Sequence, residues 1–232
     1  MAERLVLGRT VFRLTLSPPL RYNLPSEPTV TASTSTVIVK QQKKGWEGEF
    51  QQEIQAYEKL VSLQGTIIPV FFGQGSFNNH DALVISEVNG ITLHDLANEN
   101  LGVQHEALEK HLKSALSAFD DHGVYWDAKL DNFMFCAGVN PEQSKVMIVD
   151  LEQVEFPRSL EPWLVNINSR SAPDLLSNFK YRQNPNRPTS PAGCYQPGAE
   201  DGGGGWESVG LQRTSTVDGE EASQVDTGSG VE

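Results

Sequence analysis

The chain has 232 residues, 38% of them apolar and 8% aromatic, and a formal net charge of −12. That is enough for one ordinary domain, or one domain with a tail. No apolar run approaches the length of a bilayer span, which sets the membrane aside as a partner. The acidity is uneven. From residue 198 to 232, eight acids and nine glycines stand against a single base, Arg213, so the last stretch carries −7 and leaves −5 to the rest. Such a segment cannot bury enough surface to offset its chain entropy, and 183–232 reads as a disordered, Gly-rich acidic tail. Because the acidity belongs to the tail, it weighs only lightly against nucleic acid, which is not taken as a partner.

In chain order, the first 16 residues could pass for a basic leader, but the alternation around Val11, Arg13 and Thr15 reads better as one or two strands. Residues 17–35, rich in Pro, Ser and Thr, read as a connection. "STVIVKQ" is β-branched and reads as a buried strand with Lys40 near its end. Phe50, Ile54, Tyr57 and Val61 recur at helical spacing, predicting an amphipathic helix over 46–63. "GTIIPVFFGQGSF" and "HDALVISEV" predict two further strands with Gly and Asn turns between them. A short helix begins over 93–96. A longer one carries Leu108, Leu112, Ala115, Leu116 and Phe119 on one face and stops near Gly123. "FMFC" and "VMIVD" predict a hairpin, and 173–179 a last helix. Strands first and helices after predict an α+β fold. The two cysteines, Cys136 and Cys194, show no metal spacing or disulfide framework, which suits a reducing compartment: the cytoplasm, or the nucleus.

The hairpin is where chemistry concentrates. Asp127 stands five residues before Asn132, and Asp150 ends the second strand. Three oxygen-bearing side chains at one hairpin edge suit a hard cation such as Mg²⁺, with Asn132 and Asp150 as ligands. Asp127 could take a proton from a hydroxyl, and Lys129 could balance the charge of a transferred group. Alone, Asp-x-x-x-x-Asn is equally a turn with solvated acids. Upstream, Lys40 ends a strand and Glu53 lies between Phe50 and Tyr57 on the inward side of the next helix. A carboxylate facing a core needs a partner, and Lys40 is the candidate.

As an ordered set these residues resemble the eukaryotic protein-kinase family. "VIVK" is similar to its Val-Ala-Ile-Lys strand, Glu53 to its C-helix glutamate, "DAKLDN" to its catalytic loop and "IVDLE" to its Asp-Phe-Gly segment. "GWEGEFQQEIQAYEKL" and "KLDNF" are most similar to kinase-like domains of filamentous fungi. The resemblance covers roughly residues 7–157. It implies a two-lobe fold with a small antiparallel N-lobe sheet (1–90) and a truncated helical C-lobe (91–182). It also implies ATP and Mg²⁺ in the cleft, with Glu87 and Val88 of "SEVNG" in the hinge that meets the adenine. The lysine two residues after Asp127 implies a protein Ser/Thr hydroxyl as acceptor.

The departures point the other way. "LGRTVF" keeps only Gly8 of the glycine-rich loop, Tyr125-Trp126 stand where His-Arg would precede Asp127, and Glu152 replaces the last glycine of Asp-Phe-Gly. "SAPDLL" at 171–176 is taken as a chance match to Ala-Pro-Glu. The helical subdomain that binds substrate is not evident. The alternative is therefore a catalytically impaired pseudokinase acting as a binding or scaffold module, its partner a protein.

Overall fold

Alternating side chains build the first layer. The computed structural model describes residues 2–5, 10–25, 27–99, 102–159, 161–184 and 186. The expected tail therefore lies outside the described residues, apart from 183, 184 and 186, as do Gly8 and Cys194. Strands β1 (Ala2–Arg4), β2 (Val11–Leu24), β3 (Glu27–Gln41), β4 (Phe71–Phe77) and β5 (His80–Ser86) form an antiparallel sheet in the order β1-β2-β3-β5-β4. The stretch expected to be a connection, 17–35, is instead mostly the outer half of a long β2–β3 ribbon. Its inner part, "TASTST" at 31–36, is small and polar with side chains exposed or half-buried, so it lacks the apolar face that marks a strand in sequence. Pro18 and Pro19, which cannot donate to a ladder, fall where the register shifts between Thr15 and Leu20.

The sheet's two faces differ in task. Val37, Val39 and Ala82 are buried on one face, near Phe12 and Phe77, whose ring centroids lie 5.1 Å apart. Ile38, Lys40, Leu83 and Ile85, one residue out of phase, face the helix and the cleft. Helix α1 (Glu47–Lys59) covers that face with Phe50, Glu53, Ile54 and Tyr57. Glu47 and Glu49 in its first turn and Lys59 in its last complement the helix dipole. The helix ends earlier than its periodicity suggests, passing into a 3₁₀ turn at Val61–Leu63 and a left-handed Gly65. There the buried Gln64 side chain donates to Tyr57 O (2.8 Å) and accepts from Phe71 N (3.0 Å), tying the end of α1 to the start of β4.

The second lobe follows a short β6 (Ile91–Thr92). Thr92 accepts from Asp95 N at 3.1 Å and so caps α2 (Leu93–Asn98). Helix α3 (His105–Asp120) buries the five apolar residues that its sequence pattern marks. It stops before Gly123, where a β-carbon would lie 2.6 Å from Glu155 O. That close approach lets β7 (Val124–Tyr125) pair with β10 (Val154–Glu155). Between them lies the expected hairpin, β8 (Phe133–Cys136) with β9 (Lys145–Ile148), joined by β6 at its edge. Helices α4 (Ile167–Arg170) and α5 (Ala172–Gln183) complete the lobe. One core runs through both lobes, from Tyr57, Leu83 and Ile85 to Leu112, Phe133 and Phe179. Among the described residues, no helix is long and apolar enough to cross a membrane.

Candidate functional site

Three segments deliver charge to one cleft. The end of β3 brings Lys40, the inner face of α1 brings Glu53, and the loop after β9 brings Asp150. Lys40 Nζ lies 2.5 Å from Glu53 Oε1 and 3.2 Å from Asp150 Oδ1. The Glu53 side chain is 1% exposed and that of Lys40 13%. Burial opposes the charge of Lys40, but Glu53 and Asp150 together outweigh it and hold the amine above its usual range. Burial pushes Glu53 up to about 7, against the pull of Lys40. Burial would also raise Asp150; Lys40 and the amide of Glu152 prevail and keep it below the usual carboxylate range. Lys40, facing two carboxylates, keeps its proton, and the deeper Glu53 is the half of the pair nearer neutralisation.

The loop before β8 is bonded to itself. Lys129 Nζ lies 2.7 Å from Asp127 Oδ2, and Asn132 Nδ2 donates to Asp127 Oδ2 at 2.7 Å and to Asp127 O at 3.0 Å. With its amide nitrogen committed to Asp127, Asn132 has its oxygen left to offer a cation. Oxygens of Glu53, Asp150 and Glu152 lie within 4.8 Å of one another. An all-oxygen donor set of this kind fits Mg²⁺ or another hard divalent ion.

Both sets line one hollow of ≈ 580 Å³, together with Lys43, Trp46 and Trp126. Lys40, Asn132 and Asp150 also border an adjoining hollow of ≈ 350 Å³, whose walls include Val11, Ile38, Ile85, Glu87 and Val88. All eight residues singled out in the sequence thus meet around one cleft: Lys40, Glu53, Asp127, Lys129, Asn132 and Asp150 at its charged end, Glu87 and Val88 at its apolar end.

Other contributors were not singled out. Arg13 Nε donates to Glu87 Oε1 at 2.6 Å, and its guanidinium also pairs with the same oxygen. The only cue was an arginine inside the alternating "VFRLTL". Lys43 Nζ lies 3.3 Å from Glu152 Oε1 and 5.0 Å from the centre of the Trp46 ring. Asn168, on α4, accepts from Tyr125 N and donates to Gly123 O, both at 2.8 Å, and so fixes the strand that leads to Asp127. It is 1% exposed. Asn168→Ala leaves two buried backbone groups unpaired and lowers unfolding stability by about 1–3 kcal/mol. Urea denaturation measures this; a change within 0.5 kcal/mol, roughly the size of a surface effect, would contradict it.

Among the described residues, the buried Tyr57 hydroxyl lacks a hydrogen-bond partner, while the buried Tyr125 hydroxyl lies beside the Asn132 side chain without a well-formed bond. Burial raises both above the usual phenol range, with Asp150 reinforcing it in each case, so both stay protonated beside the charged cluster.

No family model and no curated protein matches the chain. Solved structures do. Residues 1–466 of Rad53, crystallised in complex with AMP-PNP, align at 18% identity over 78% of this chain and 46% of that one, with a TM-score of 0.50. A point mutant of the Mycobacterium tuberculosis PknI kinase domain aligns at 11% identity, over 78% of this chain and 71% of that one, with a TM-score of 0.48. A second PknI kinase-domain structure gives 12%, 66%, 67% and 0.44. The chain spans less than half of the Rad53 structure, and at 18% identity the likeness is one of fold. That fold is protein-kinase-like and α+β, with a small antiparallel N-lobe sheet and few helices in the second lobe.

Proposed function

We propose that the cleft binds ATP with Mg²⁺ and that the chain is a protein-kinase-like phosphotransferase acting on a protein Ser/Thr hydroxyl. One observation carries the reading: Lys40 bonds at once to Glu53 and to Asp150, residues 13 and 110 positions away, from opposite walls of the cleft. A buried lysine held between two carboxylates is a poor stabilising device on its own, since desolvation offsets much of the attraction. It makes sense as an amine positioned for phosphate oxygens. Rad53, whose fold this chain shares, was crystallised with a nucleotide analogue, which supports the same ligand class.

In this reading Val88 and Glu87 present main chain to the adenine, between Ile38 and Ile85. Asn132 and Asp150 would hold Mg²⁺, which supplies neutralisation of the phosphate oxygens when bound. Asp127, oriented by Asn132, accepts the proton of the incoming hydroxyl, and Lys129 balances the negative charge beside it. Thermal unfolding in rising MgATP tests the binding step. A ligand at 100 times its Kd adds about 2.7 kcal/mol to the folded state. That should appear as a rise of a few degrees in Tm; a flat Tm up to millimolar MgATP would remove the proposal.

A second reading, a binding module without turnover, draws on Glu152. It adds another carboxylate to a cleft already holding Glu53, Asp127 and Asp150. Excess negative charge there works against a triphosphate unless it is neutralised.

A further inference from the structure

Lys40 is fully engaged at rest, with a carboxylate on either side. The Lys129 side chain is 57% exposed but is held tightly by Asp127, at 2.7 Å against 3.3 Å for Lys43 and Glu152. In the charged end of the cleft three lysines thus face four carboxylates, and a triphosphate entering it needs a cation that can change partners. Lys43 can. It sits two residues past the end of β3, its side chain is 44% exposed, and it holds one carboxylate, that of Glu152, from 109 residues away. Its ammonium also lies 5.0 Å from the centre of the Trp46 ring, a contact that is weak for a half-exposed side chain and readily given up.

We propose that Lys43 is a phosphate-positioning residue held in reserve by Glu152, and that a divalent cation releases it by drawing the Glu152 carboxylate toward Asp150. Oxygens of Glu152 and Asp150 already lie within 4.8 Å of each other, close enough to share one ion. Without the cation, Glu152 competes with phosphate for Lys43. With it, one lysine is freed and one carboxylate neutralised in the same step. Nucleotide affinity therefore depends on metal through this chain's own pair, beyond the contacts the ion makes with phosphate. The inference rests on nucleotide binding as proposed above.

Calorimetric titration of the full chain tests it, using ATP with Mg²⁺, ATP with EDTA, and adenosine as a phosphate-free control. In Lys43→Met, MgATP affinity falls about tenfold, equivalent to 1.4 kcal/mol, while adenosine affinity is unchanged. Lys43→Arg retains most of the MgATP affinity. In Glu152→Gln, ATP binds more tightly than wild type in EDTA, and the gain from Mg²⁺ shrinks. MgATP affinity within twofold of wild type in Lys43→Met would overturn the exchange. So would equal loss of adenosine, or unchanged EDTA binding in Glu152→Gln. If the wild type binds while the variants behave like it, the exchange alone fails. If the wild type binds neither ATP nor adenosine, the nucleotide reading fails and takes the exchange with it.

Discussion

Lys40→Met lowers unfolding stability by about 3–5 kcal/mol and removes MgATP binding. The stability loss arises because Glu53, at 1% side-chain exposure, keeps its desolvation while losing its counter-charge. The same variant deprives Asp150 of the amine that holds its carboxyl down. Denaturant midpoints for Lys40→Met, Glu53→Gln and the double variant separate the pair from its parts. The double variant should recover much of the loss, because neither charge is then stranded, yet it should still fail to bind nucleotide. Were Lys40→Met to unfold within 1 kcal/mol of wild type and bind MgATP normally, the buried cluster would be neither a structural nor a ligand-binding unit.

Asp127→Asn should separate binding from transfer. Asparagine still accepts from Asn132 through its side-chain oxygen, so the loop keeps its geometry, and MgATP affinity should stay within about twofold by that argument. Phosphate transfer to a Ser/Thr peptide should fall by about 10²–10⁴, the usual contribution of a positioned general base. A wild-type chain that binds MgATP but shows no transfer above the Asp127→Asn background would favour the module reading instead. The two outcomes are read from one pair of proteins, by titration and by radiolabel transfer.

Much of this was legible from residue order, and what escaped has a common cause. "VIVK", the periodicity from Phe50 to Tyr57 and the runs "FMFC" and "VMIVD" declare themselves because apolar side chains repeat with the period of their element. Lys40, Glu53 and Asp150 stood out because each interrupts such a run with a charge. The outer ribbon of β2 and β3 did not, since its exposed Thr and Ser residues carry no inside-outside contrast. Nor did the pairings of Arg13 with Glu87 and Lys43 with Glu152. Their partners lie 74 and 109 residues apart, and each side chain alone reads as an ordinary surface charge. Asn168 is the extreme case: one polar residue, with no local pattern around it, satisfies backbone groups of a segment more than 40 positions upstream.

The Gln64 clasp has a mechanical corollary. Because that amide grips Tyr57 and Phe71 together, the far end of the first helix is pinned to the sheet, whereas its beginning at Trp46 hangs from the Lys43 carbonyl. The helix has a second anchor beside Glu53 itself, where Gln52 Nε2 donates to Val154 O at 2.8 Å and ties it to the second lobe. The place of the Glu53 carboxylate is therefore set by two amide side chains, Gln52 and Gln64, reaching opposite lobes, as well as by its bond to Lys40.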